Sequence, residues 1–554
     1  MYANSKYILL IFLMISLIIS GCESPNLETE SQAIQTQPKH VDYLRLPLSD
    51  NVITLDPGII YKNVQIEVVE QLFLGLTGFD PKTNQVIPEL ATHWQVSEDG
   101  IVYTYQLRQD VKWTNGTPVT AHDVVWALRR NIAKQTDSFY VFLLYVLKNA
   151  KAIHQDESLP VSALGVRAID NYTVEFTLEE PTSYFPALTS FWIYHPLPRQ
   201  VIEQHGNNWI KPAHIQTNGP YQLLEWNPKS NLVLKRNSTY YAVNKIKIPE
   251  VHYAIIPDSS LGLAMYKKDE LDIMGGQTYL PIPQSEMGSI KSDPVLRKEK
   301  QTSPLFCTEW YGFTVQQPPL DNPLVRKAIV AAIDKKTLMD IVLKTNHFPA
   351  RTFTRPPASE VMDITDPKKM GIAFDPIDAK EWLAKAGYPD GKSFPPLFLV
   401  HNTSKLHQKS AATIKTMLKH YLNINVEIRE FDFERYLNII KQPTTPLIFR
   451  MVWCAGYPSD LNGLHQIFHP DKGINWIGWN NQEFAKLVDK ALQVSEQKKR
   501  QKLYQQAEKI LTETEAAIIP LYFYNISFLV KPWVKGWYYK GFGGQDIQNW
   551  SLEN

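Results

Sequence analysis

The chain has 554 residues, of which 44% are hydrophobic and 12% aromatic, and this much apolar surface excludes a wholly disordered protein. Its length predicts about two to four domains. The 57 Lys and Arg residues balance 56 Asp and Glu residues, so the net charge of +1 gives no field to hold a nucleic acid, and no nucleic-acid partner is expected.

The N-terminus has the pattern of an export signal. Lys6 precedes an apolar run over residues 8–19, which is too short to span a bilayer. Ile19, Ser20 and Gly21 then precede Cys22 in the order of a bacterial lipobox. We therefore predict a lipoprotein signal peptide over residues 1–21, with a lipid on the Cys22 thiol and a flexible tether over residues 22–42. The alternative is an ordinary signal peptide with an incidental cysteine.

The chain has three cysteines, Cys22, Cys307 and Cys454. If Cys22 carries a lipid, two remain in an exported protein, and an oxidising compartment favours a disulfide between them. Two buried free thiols are the alternative that the sequence leaves open.

In chain order, the first clear elements are a strand and a helix. Alternating apolar and polar residues predict a strand over residues 102–112, and Asn115-Gly116 predicts a tight turn. Thr120 and Asp123 have the spacing of a capping box, which predicts a helix over residues 121–132.

Further elements follow to the C-terminus, and no repeat of 20–50 residues interrupts them. The mixture of strands and helices indicates an α/β and α+β fold without one uninterrupted parallel pattern. The predicted elements are a hairpin over residues 221–235, a helix from Asn322 to residue 331, a helix at 376–386 capped by Asp375, two amphipathic helices within 484–511, and a buried strand pair or one long strand at 517–530.

Motifs for catalysis and metal binding are mostly missing. The sequence has no H-E-x-x-H, G-x-S-x-G or C-x-x-C pattern, and residues 387–393 lack the spacing of a phosphate loop. His465 and His469 could share a helix face and bind a metal, but Pro470 and the missing third ligand favour a loop or surface pair. We therefore expect a protein that is not an enzyme and that uses no cofactor and no metal.

Several segments resemble one family. They are DGIVYTYQLRQDVKWTNGTPVTAHDVVWALRR at residues 99–130, NGPYQLLEW at 218–226 and LVRKAIVAAID at 324–334. They are similar to the dipeptide/oligopeptide class, family 5, of extracellular solute-binding proteins, and most similar to the periplasmic oligopeptide-binding proteins of ABC importers. The resemblance runs from about residue 43 to residue 554.

The resemblance implies a bilobed periplasmic-binding-protein fold with three domains, a two-segment hinge near residues 300–305 and 510–520, and a ligand enclosed between the lobes. The implied ranges are 43–80, 200–303 and 518–554 for domain I, 81–199 for domain II, and 304–517 for domain III.

The implied function is that of a substrate-binding lipoprotein in the periplasm. Such a protein captures an oligopeptide in an extended conformation and delivers it to an inner-membrane ABC permease and its ATPase. We expect a monomer that is held to a membrane through the lipid on Cys22. The resemblance also implies a disulfide between Cys307 and Cys454.

The resemblance also implies a set of ligand-binding positions. Arg450 and Lys441 are candidates for the ligand's C-terminal carboxylate, and His407 for ligands of another length. If the family resemblance is set aside, Trp310 and Trp453 are interpreted as aromatic residues of the core, and Arg450 as a solvated charged residue of a strand. The whole set comprises Tyr61, Asn63, Tyr140, Glu309, Trp310, His407, Phe433, Lys441, Arg450, Trp453, Cys454 and Gly456.

Three positions depart from the peptide-binding pattern. Gly456 stands where an Asp would hold the ligand's α-ammonium, and Tyr61 and Gly312 stand where two further acidic groups are expected. A buried ammonium without a partner is unfavourable by several kcal/mol. Asp460 or Glu309 could replace the missing Asp.

If neither does, we expect a ligand that lacks a free α-amine or is rich in carboxylates, such as an amide-blocked peptide or a cell-wall peptide fragment. A non-peptide solute on the same fold, such as a nickel chelate or haem, is the alternative. A secreted hydrolase has no supporting spacing of a nucleophile and a base. A sensor or chaperone without an importer is a further alternative, which the sequence leaves open.

Overall fold

The computed structural model describes residues 42–553, except 81–82, 84, 157–158, 344–345, 356–369, 443–444, 456–460, 495 and 542. The predicted signal peptide, Cys22, Gly456 and Asp460 lie outside the described residues. The residues from 41 onward form one compact unit. Within the described part, no helix is both long and apolar enough to cross a membrane.

The N-terminal half of the described chain contains ten strands and four α-helices. The strands are β1 (Tyr43–Leu48), β2 (Thr77–Phe79), β3 (Val86–Pro88), β4 (Ala91–Val96), β5 (Val102–Leu107), β6 (Val166–Asp170), β7 (Thr173–Thr177), β8 (Tyr221–Asn227), β9 (Asn231–Arg236) and β10 (Glu250–Ile255). The helices are α1 (Asn63–Leu72), α2 (Ala121–Ile132), α3 (Phe185–Leu188) and α4 (Arg199–His205).

The C-terminal half adds nine described strands and eleven described α-helices. The strands are β11 (Ile273–Gly275), β12 (Lys300–Phe313), β13 (Phe348–Pro349), β14 (Leu397–Asn402), β15 (Val426–Phe431), β16 (Leu447–Cys454), β17 (Ile518–Val530), β18 (Val534–Lys535) and β19 (Ser551–Leu552). The helices are α5 (Ser259–Lys267), α6 (Met287–Ser292), α7 (Pro294–Glu299), α8 (Pro323–Ala331), α9 (Lys335–Thr337), α10 (Pro376–Lys385), α11 (Lys405–Leu422), α12 (Phe433–Lys441), α13 (Leu461–Phe468), α14 (Gln482–Gln493) and α15 (Gln497–Lys509).

Three main sheets organise these elements. One has the order β1-β10-β9-β8, and a second has the antiparallel order β4-β5-β7-β6. The third is mixed, with the order β11-β17-β12-β16-β14-β15 and β13 paired with β17. The mixed α/β content without one uninterrupted parallel pattern agrees with the sequence prediction. The predicted domain ranges stay predictions, and the third sheet takes strands from both predicted domains I and III.

The local predictions agree with the structure wherever the signal is local. Helix α2 begins after Thr120, whose N–H donates to the Asp123 carboxylate at 2.8 Å, as the capping box predicts. Asp375 caps α10 through the N–H groups of the first turn. The predicted strand at residue 102 ends at Leu107 instead of residue 112, and the apolar segment before residue 530 is one strand, β17.

The third sheet is buried on both faces by helices. On one face, Trp310 of β12 packs in a cluster with Phe449 of β16 and Phe468 of α13. On the other, Tyr311 packs in a cluster with Ile448 and Ile519. Because successive strand residues point to opposite faces, this double burial leaves the end of β12, from Cys307 to Phe313, continuously buried instead of alternating.

The long strands β12 and β17 pair along most of their length but lose register in the middle. Pro304 is opposite Asn525, whereas Thr308 is opposite Phe523, so β12 has extra residues in this stretch. Bulges of this kind bend a strand and weaken its pairing locally. On the side of the bulge that contains the start of β12, β17 also pairs with β11. On the other side, β12 also pairs with β16, and β17 also pairs with β13.

Candidate functional site

The C-terminal end of β16 has a strand partner on one side only. Its antiparallel pairing with β12 continues to Cys454, but its parallel pairing with β14 stops at Phe449. Among the described residues, no strand is paired with the other edge beyond Phe449. The stretch from Arg450 to Cys454 is therefore an open sheet edge next to the disulfide.

Hydrogen bonds show which backbone groups point to this edge. The Leu447 carbonyl accepts from Thr314 of the β12 side, and the Ala455 N–H donates to Phe306 at 2.8 Å, so odd-numbered residues face β12. Even-numbered residues face the open side, because backbone direction alternates along a strand. The N–H and C=O groups of Val452 and Cys454 are therefore directed to the unpaired edge.

The disulfide predicted between Cys307 and Cys454 is present, with an S–S distance of 2.06 Å. The two residues are direct register partners in β12 and β16. The bond therefore links the strand that carries the open edge to its neighbour, at the last pair before β16 ends.

A buried ion pair lies on the same two strands. Nε and one terminal nitrogen of Arg450 donate to the two carboxylate oxygens of Glu309, each at 2.5 Å. Their side chains are 10% and 2% exposed. Burial alone would lower the pKa of Arg450, but the hydrogen bonds and charge of Glu309 outweigh it and raise that pKa above its usual value.

Tyrosines from other elements complete this pair. The Tyr524 hydroxyl of β17 donates to Glu309 Oε2 at 2.8 Å, and the Tyr436 hydroxyl of α12 donates to the Arg450 carbonyl. Both were missed from sequence; the signal for Tyr524 was its place in the tyrosine-rich segment that forms β17. With these contacts, Glu309 and Arg450 satisfy each other, and a ligand group that used either would replace an existing partner.

Two histidines lie close to this cluster. His347 stacks on Tyr522 with ring centroids 4.9 Å apart, and burial, followed by the charge of Arg355, lowers its pKa to about 4. His407 donates from Nδ1 to the Asn402 carbonyl at 3.2 Å, and burial, followed by the charge of Arg450, lowers its pKa. Neutral His407 therefore presents an acceptor at Nε2, and it would have to gain a proton to hold a carboxylate.

The aromatic residues predicted for the site have different surroundings. Trp310 is only 2% exposed and lies in the core, so the structure gives its ring no surface toward a ligand. Trp453 is half-buried, whereas Phe433 is 61% exposed at the start of α12. Lys441 lies at the other end of that helix, with Nζ 6.0 Å from the centre of the Trp476 ring.

A second group of predicted residues lies near α1. Tyr61 is exposed and its ring centre is 5.8 Å from that of Phe139. Tyr140 contacts Phe139 edge to face at 5.0 Å, and Phe142 is a further exposed ring beside it. Asn63 donates to the Gln277 side chain at 3.1 Å. Phe139 and Phe142 were missed from sequence, although their aromatic run with Tyr140 was visible.

The structure explains two of the three positions at which the chain lacks an expected acidic residue. A Cβ at Gly312 would lie 2.5 Å from the Phe449 ring and 2.8 Å from Ile477, so the volume of an acidic side chain is filled by these apolar groups. Tyr61 uses its position for aromatic contact instead of charge. Gly456 lies outside the described residues, and so does Asp460.

One cluster has the composition of a metal site. His465, His469 and Asp489 could place one ligand atom each within 4.8 Å of one another. However, His469 Nδ1 accepts the N–H groups of Asp471 and Lys472, so its proton is on Nε2, 3.3 Å from Asp489. The His469 ring therefore joins the backbone that follows α13 to the Asp489 carboxylate through hydrogen bonds. Its protonated Nε2 has no lone pair for a metal.

Comparison with known proteins places these features in a family. The family described as bacterial extracellular solute-binding proteins, family 5 Middle, matches residues 85–475. The periplasmic oligopeptide-binding protein OppA of Salmonella typhimurium is 32% identical over 491 residues, which cover 88% of each chain.

Two solved structures of MppA differ in how well they match. The unliganded open form of this periplasmic murein tripeptide binding protein has a TM-score of 0.85 and 28% identity, covering 93% of this chain and 98% of that one. Another structure, of the Escherichia coli protein, has a TM-score of 0.63 at 28% identity, covering 92% of this chain and 98% of that one.

Proposed function

The chain belongs to family 5 of the bacterial extracellular solute-binding proteins and has their bilobed fold, and from this premise we propose that it captures oligopeptides for an ABC importer. The ligand is held in an extended conformation between the lobes and is delivered to an inner-membrane permease and its ATPase. The relatives it matches are binding proteins, and binding without catalysis is the function proposed here.

The observation that carries this proposal is the open edge of β16. An extended peptide can add to it as one more strand, exchanging backbone hydrogen bonds with Val452 and Cys454. Backbone groups are common to all peptides, so an edge of this kind binds many sequences. The disulfide at Cys454 fixes the edge before the ligand arrives, which reduces the entropy lost on binding.

Closure of the lobes is the second part of the proposal. The higher TM-score to the open form of MppA supports an open arrangement in this structure. The hinge is proposed at the bulge between Pro304 and Thr308 and at the facing residues Phe523–Asn525, where pairing is weakest. The proposed lobes keep the predicted ranges except at the second crossing, where residues 518–523 move to domain III because they pair with β12 beyond the bulge. One lobe then combines domain I (43–80, 200–303, 524–554) with domain II (81–199), and domain III (304–523) forms the other.

The ion pair supports one refinement of the ligand's chemistry. Both oxygens of Glu309 already accept hydrogen bonds from Arg450, and Tyr524 also donates to one of them. Glu309 is therefore poorly placed to bind the ligand's α-ammonium in place of the Asp for which Gly456 stands. This favours the second candidate function, in which the ligand lacks a free α-amine, as in a blocked peptide or a cell-wall peptide fragment.

The cellular setting is proposed from the N-terminus and the family. The periplasm is supported by relatives with periplasmic names. We propose that Cys22 carries the lipid and that residues 22–42 tether a monomer to the membrane, within reach of the importer.

The edge is tested by removing one donor. Val452→Pro deletes an N–H that faces the open side and not the β12 ladder, a position where a strand tolerates Pro. We expect binding of peptides to weaken more than about tenfold, whereas Val452→Ala, the matched control, keeps most of the affinity. Equal binding by both variants in calorimetry, at unchanged melting temperature, would contradict the proposed mode.

The ligand class is tested by native mass spectrometry of the mature protein. Ligand released on denaturation is identified by its fragments. A ladder of free-amine peptides supports the broad peptide receptor and removes the refinement. A single amine-blocked or non-peptide species supports the second candidate function.

A further inference from the structure

A cavity of about 620 Å³ lies beside the proposed hinge. Its walls come from separate parts of the chain: the segment from Gly276 to α6, the start of β12, the region around His347, and the first turns of α11. The middle of β17, at Asn525–Ser527, forms a further wall next to the bulge. We call this space the lysine cavity.

Four lysines line the lysine cavity: Lys291, Lys300, Lys405 and Lys409. No Asp or Glu is among its described lining residues. None of the four forms an ion pair with a described carboxylate; the contact found is from Lys300 Nζ to the Thr302 hydroxyl at 3.3 Å. Burial, followed by the charge of Lys291, lowers the pKa of Lys300, as expected where positive charges share a space without a counter-charge.

The position of two of these lysines is unfavourable for the helix that carries them. Lys405 is the first residue of α11, an 18-residue helix, and Lys409 lies one turn later. The N-terminus of a helix favours negative charge, and like charges four residues apart repel. The first turn of α11 contains no acidic residue to offset them. The charge at this place is therefore not explained by helix stability.

The lysines also belong to different proposed lobes. Lys291 and Lys300 precede the bulge in β12, whereas Lys405 and Lys409 follow it in the chain. If the lobes close on a ligand, as the proposed function holds, these pairs converge. Their mutual repulsion then opposes closure unless the ligand brings negative charge into the space between them.

We propose that the lysine cavity binds the end of the ligand and that this end carries two or more carboxylates. The inference rests on the proposed function, because it assigns the ligand's charged end to one part of the same cleft. It is distinct from the Arg450 position: Arg450 is neutralised by Glu309, whereas the lysines have no described counter-charge. A ligand with one terminal carboxylate leaves most of this positive charge uncompensated.

The test compares two pentapeptides by calorimetry at low salt. Both begin with three alanines; one ends in two glutamates and the other in two glutamines, so their C-terminal halves differ by two charges. Each is made with a free and with an acetylated N-terminus, so that the result does not depend on how the amine is held. We expect the glutamate peptide to bind about tenfold more tightly to the unaltered protein, and this preference to shrink at high salt.

Two double variants assign the preference to the cavity. Lys405→Gln with Lys409→Gln should reduce the preference to about twofold or less. Lys415→Gln with Lys419→Gln removes the same charge from exposed positions further along α11 and should retain it. The first variant should keep the melting temperature of the unaltered protein or exceed it. The second should lower it slightly, because Lys419 lies in the last turn of α11 and donates to the C-cap residue Asn423 at 2.7 Å.

The outcomes separate the two proposals. If both pentapeptides bind equally, or if the preference survives in the Lys405 and Lys409 variant, the inference is overturned and peptide binding stands. If neither pentapeptide binds the unaltered protein in either N-terminal form, the proposed function fails and the inference fails with it.

Discussion

On the β12–β16 face, Glu309 and Arg450 neutralise each other through two hydrogen bonds of 2.5 Å, whereas four lysines line the lysine cavity and no Asp or Glu is among its described lining residues. Burial explains the difference. An unpaired charge in the interior is unfavourable by several kcal/mol, so Arg450 needs a protein partner at all times. A lysine head that reaches water can stay unpaired at small cost. The uncompensated lysines are therefore the better guide to a ligand's charge.

The largest expected effect comes from removing Arg450, the partner of the buried Glu309 carboxylate. Arg450→Met leaves the Glu309 carboxylate, whose side chain is 2% exposed, with the Tyr524 hydroxyl but without a cation. We expect the free energy of unfolding to fall by about 3–5 kcal/mol, because an uncompensated charge stays buried. Urea unfolding measures the loss.

Two controls interpret that loss. Adding Glu309→Gln to Arg450→Met removes the stranded charge, keeps an acceptor for Tyr524, and should restore most of the stability. Lys499→Gln breaks an exposed ion pair with Glu496 and should leave the urea midpoint unchanged. A loss in the exposed variant as large as in Arg450→Met would refute the distinction drawn from burial.

The second prediction concerns the histidine in the wall of the lysine cavity. The pKa of His347 is lowered to about 4 by burial and then by Arg355, from an unfolded value near 6.5. The unfolded chain therefore binds this proton more readily, so stability is present above about pH 6.5 and is lost as the pH falls toward 4. The expected loss from this group is up to about 3 kcal/mol.

The measurement is the urea midpoint between pH 7 and pH 4. His347→Asn keeps an acceptor for the Asn525 N–H and should show a shallower dependence on pH. His93→Asn, at an exposed position on β4, serves as the control and should keep the slope of the unaltered protein. Identical slopes in all three proteins would mean that His347 has the same pKa in the folded and the unfolded chain, and they would contradict this prediction.

The third prediction tests the packing side of the comparison. Gly312→Ala places a Cβ 2.5 Å from the Phe449 ring, so Phe449 must shift within a filled core. We expect a loss of about 1–3 kcal/mol in the free energy of unfolding. Adding Phe449→Leu should recover part of it. Gly288→Ala, where a Cβ would meet nothing within 4 Å, should cause no loss, and an equal loss at both glycines would contradict the packing argument.

Some features of the structure could be predicted from the sequence and others could not. The starts of α2 and α10 were predictable because a cap and its helix are neighbours in sequence: Thr120 with Asp123, and Asp375 with the residues that follow it. The disulfide followed from the family resemblance, which fixed the pairing before any register was known. The sequence left Trp310 open between a core aromatic residue and a ligand-binding residue, because β12 is buried on both faces over its last seven residues and gives no period of two to separate them. The structure shows the core residue.

The charges of the site were harder to predict for the same physical reason. Glu309 and Arg450 are 141 residues apart, and only the register between β12 and β16 brings them to one face. The lysine cavity combines residues from several distant segments, each of which is typical of a solvated surface when taken alone. What the sequence did indicate is the loss of acidic groups at Tyr61, Gly312 and Gly456, and this already favoured an anionic or amine-blocked ligand.

The smallest expected effect has the opposite sign. Lys405→Gln with Lys409→Gln removes positive charge from the N-terminal end of α11, so we expect the protein to gain about 0.5–1 kcal/mol in stability while it loses its preference for an acidic ligand. Lys415→Gln with Lys419→Gln should give no such gain, because these residues lie away from that end. A gain of stability coupled to a loss of binding is typical of charges kept for function. If the first variant is instead less stable, its lysines have partners within the protein, and they would then resemble Arg450 instead of contrasting with it.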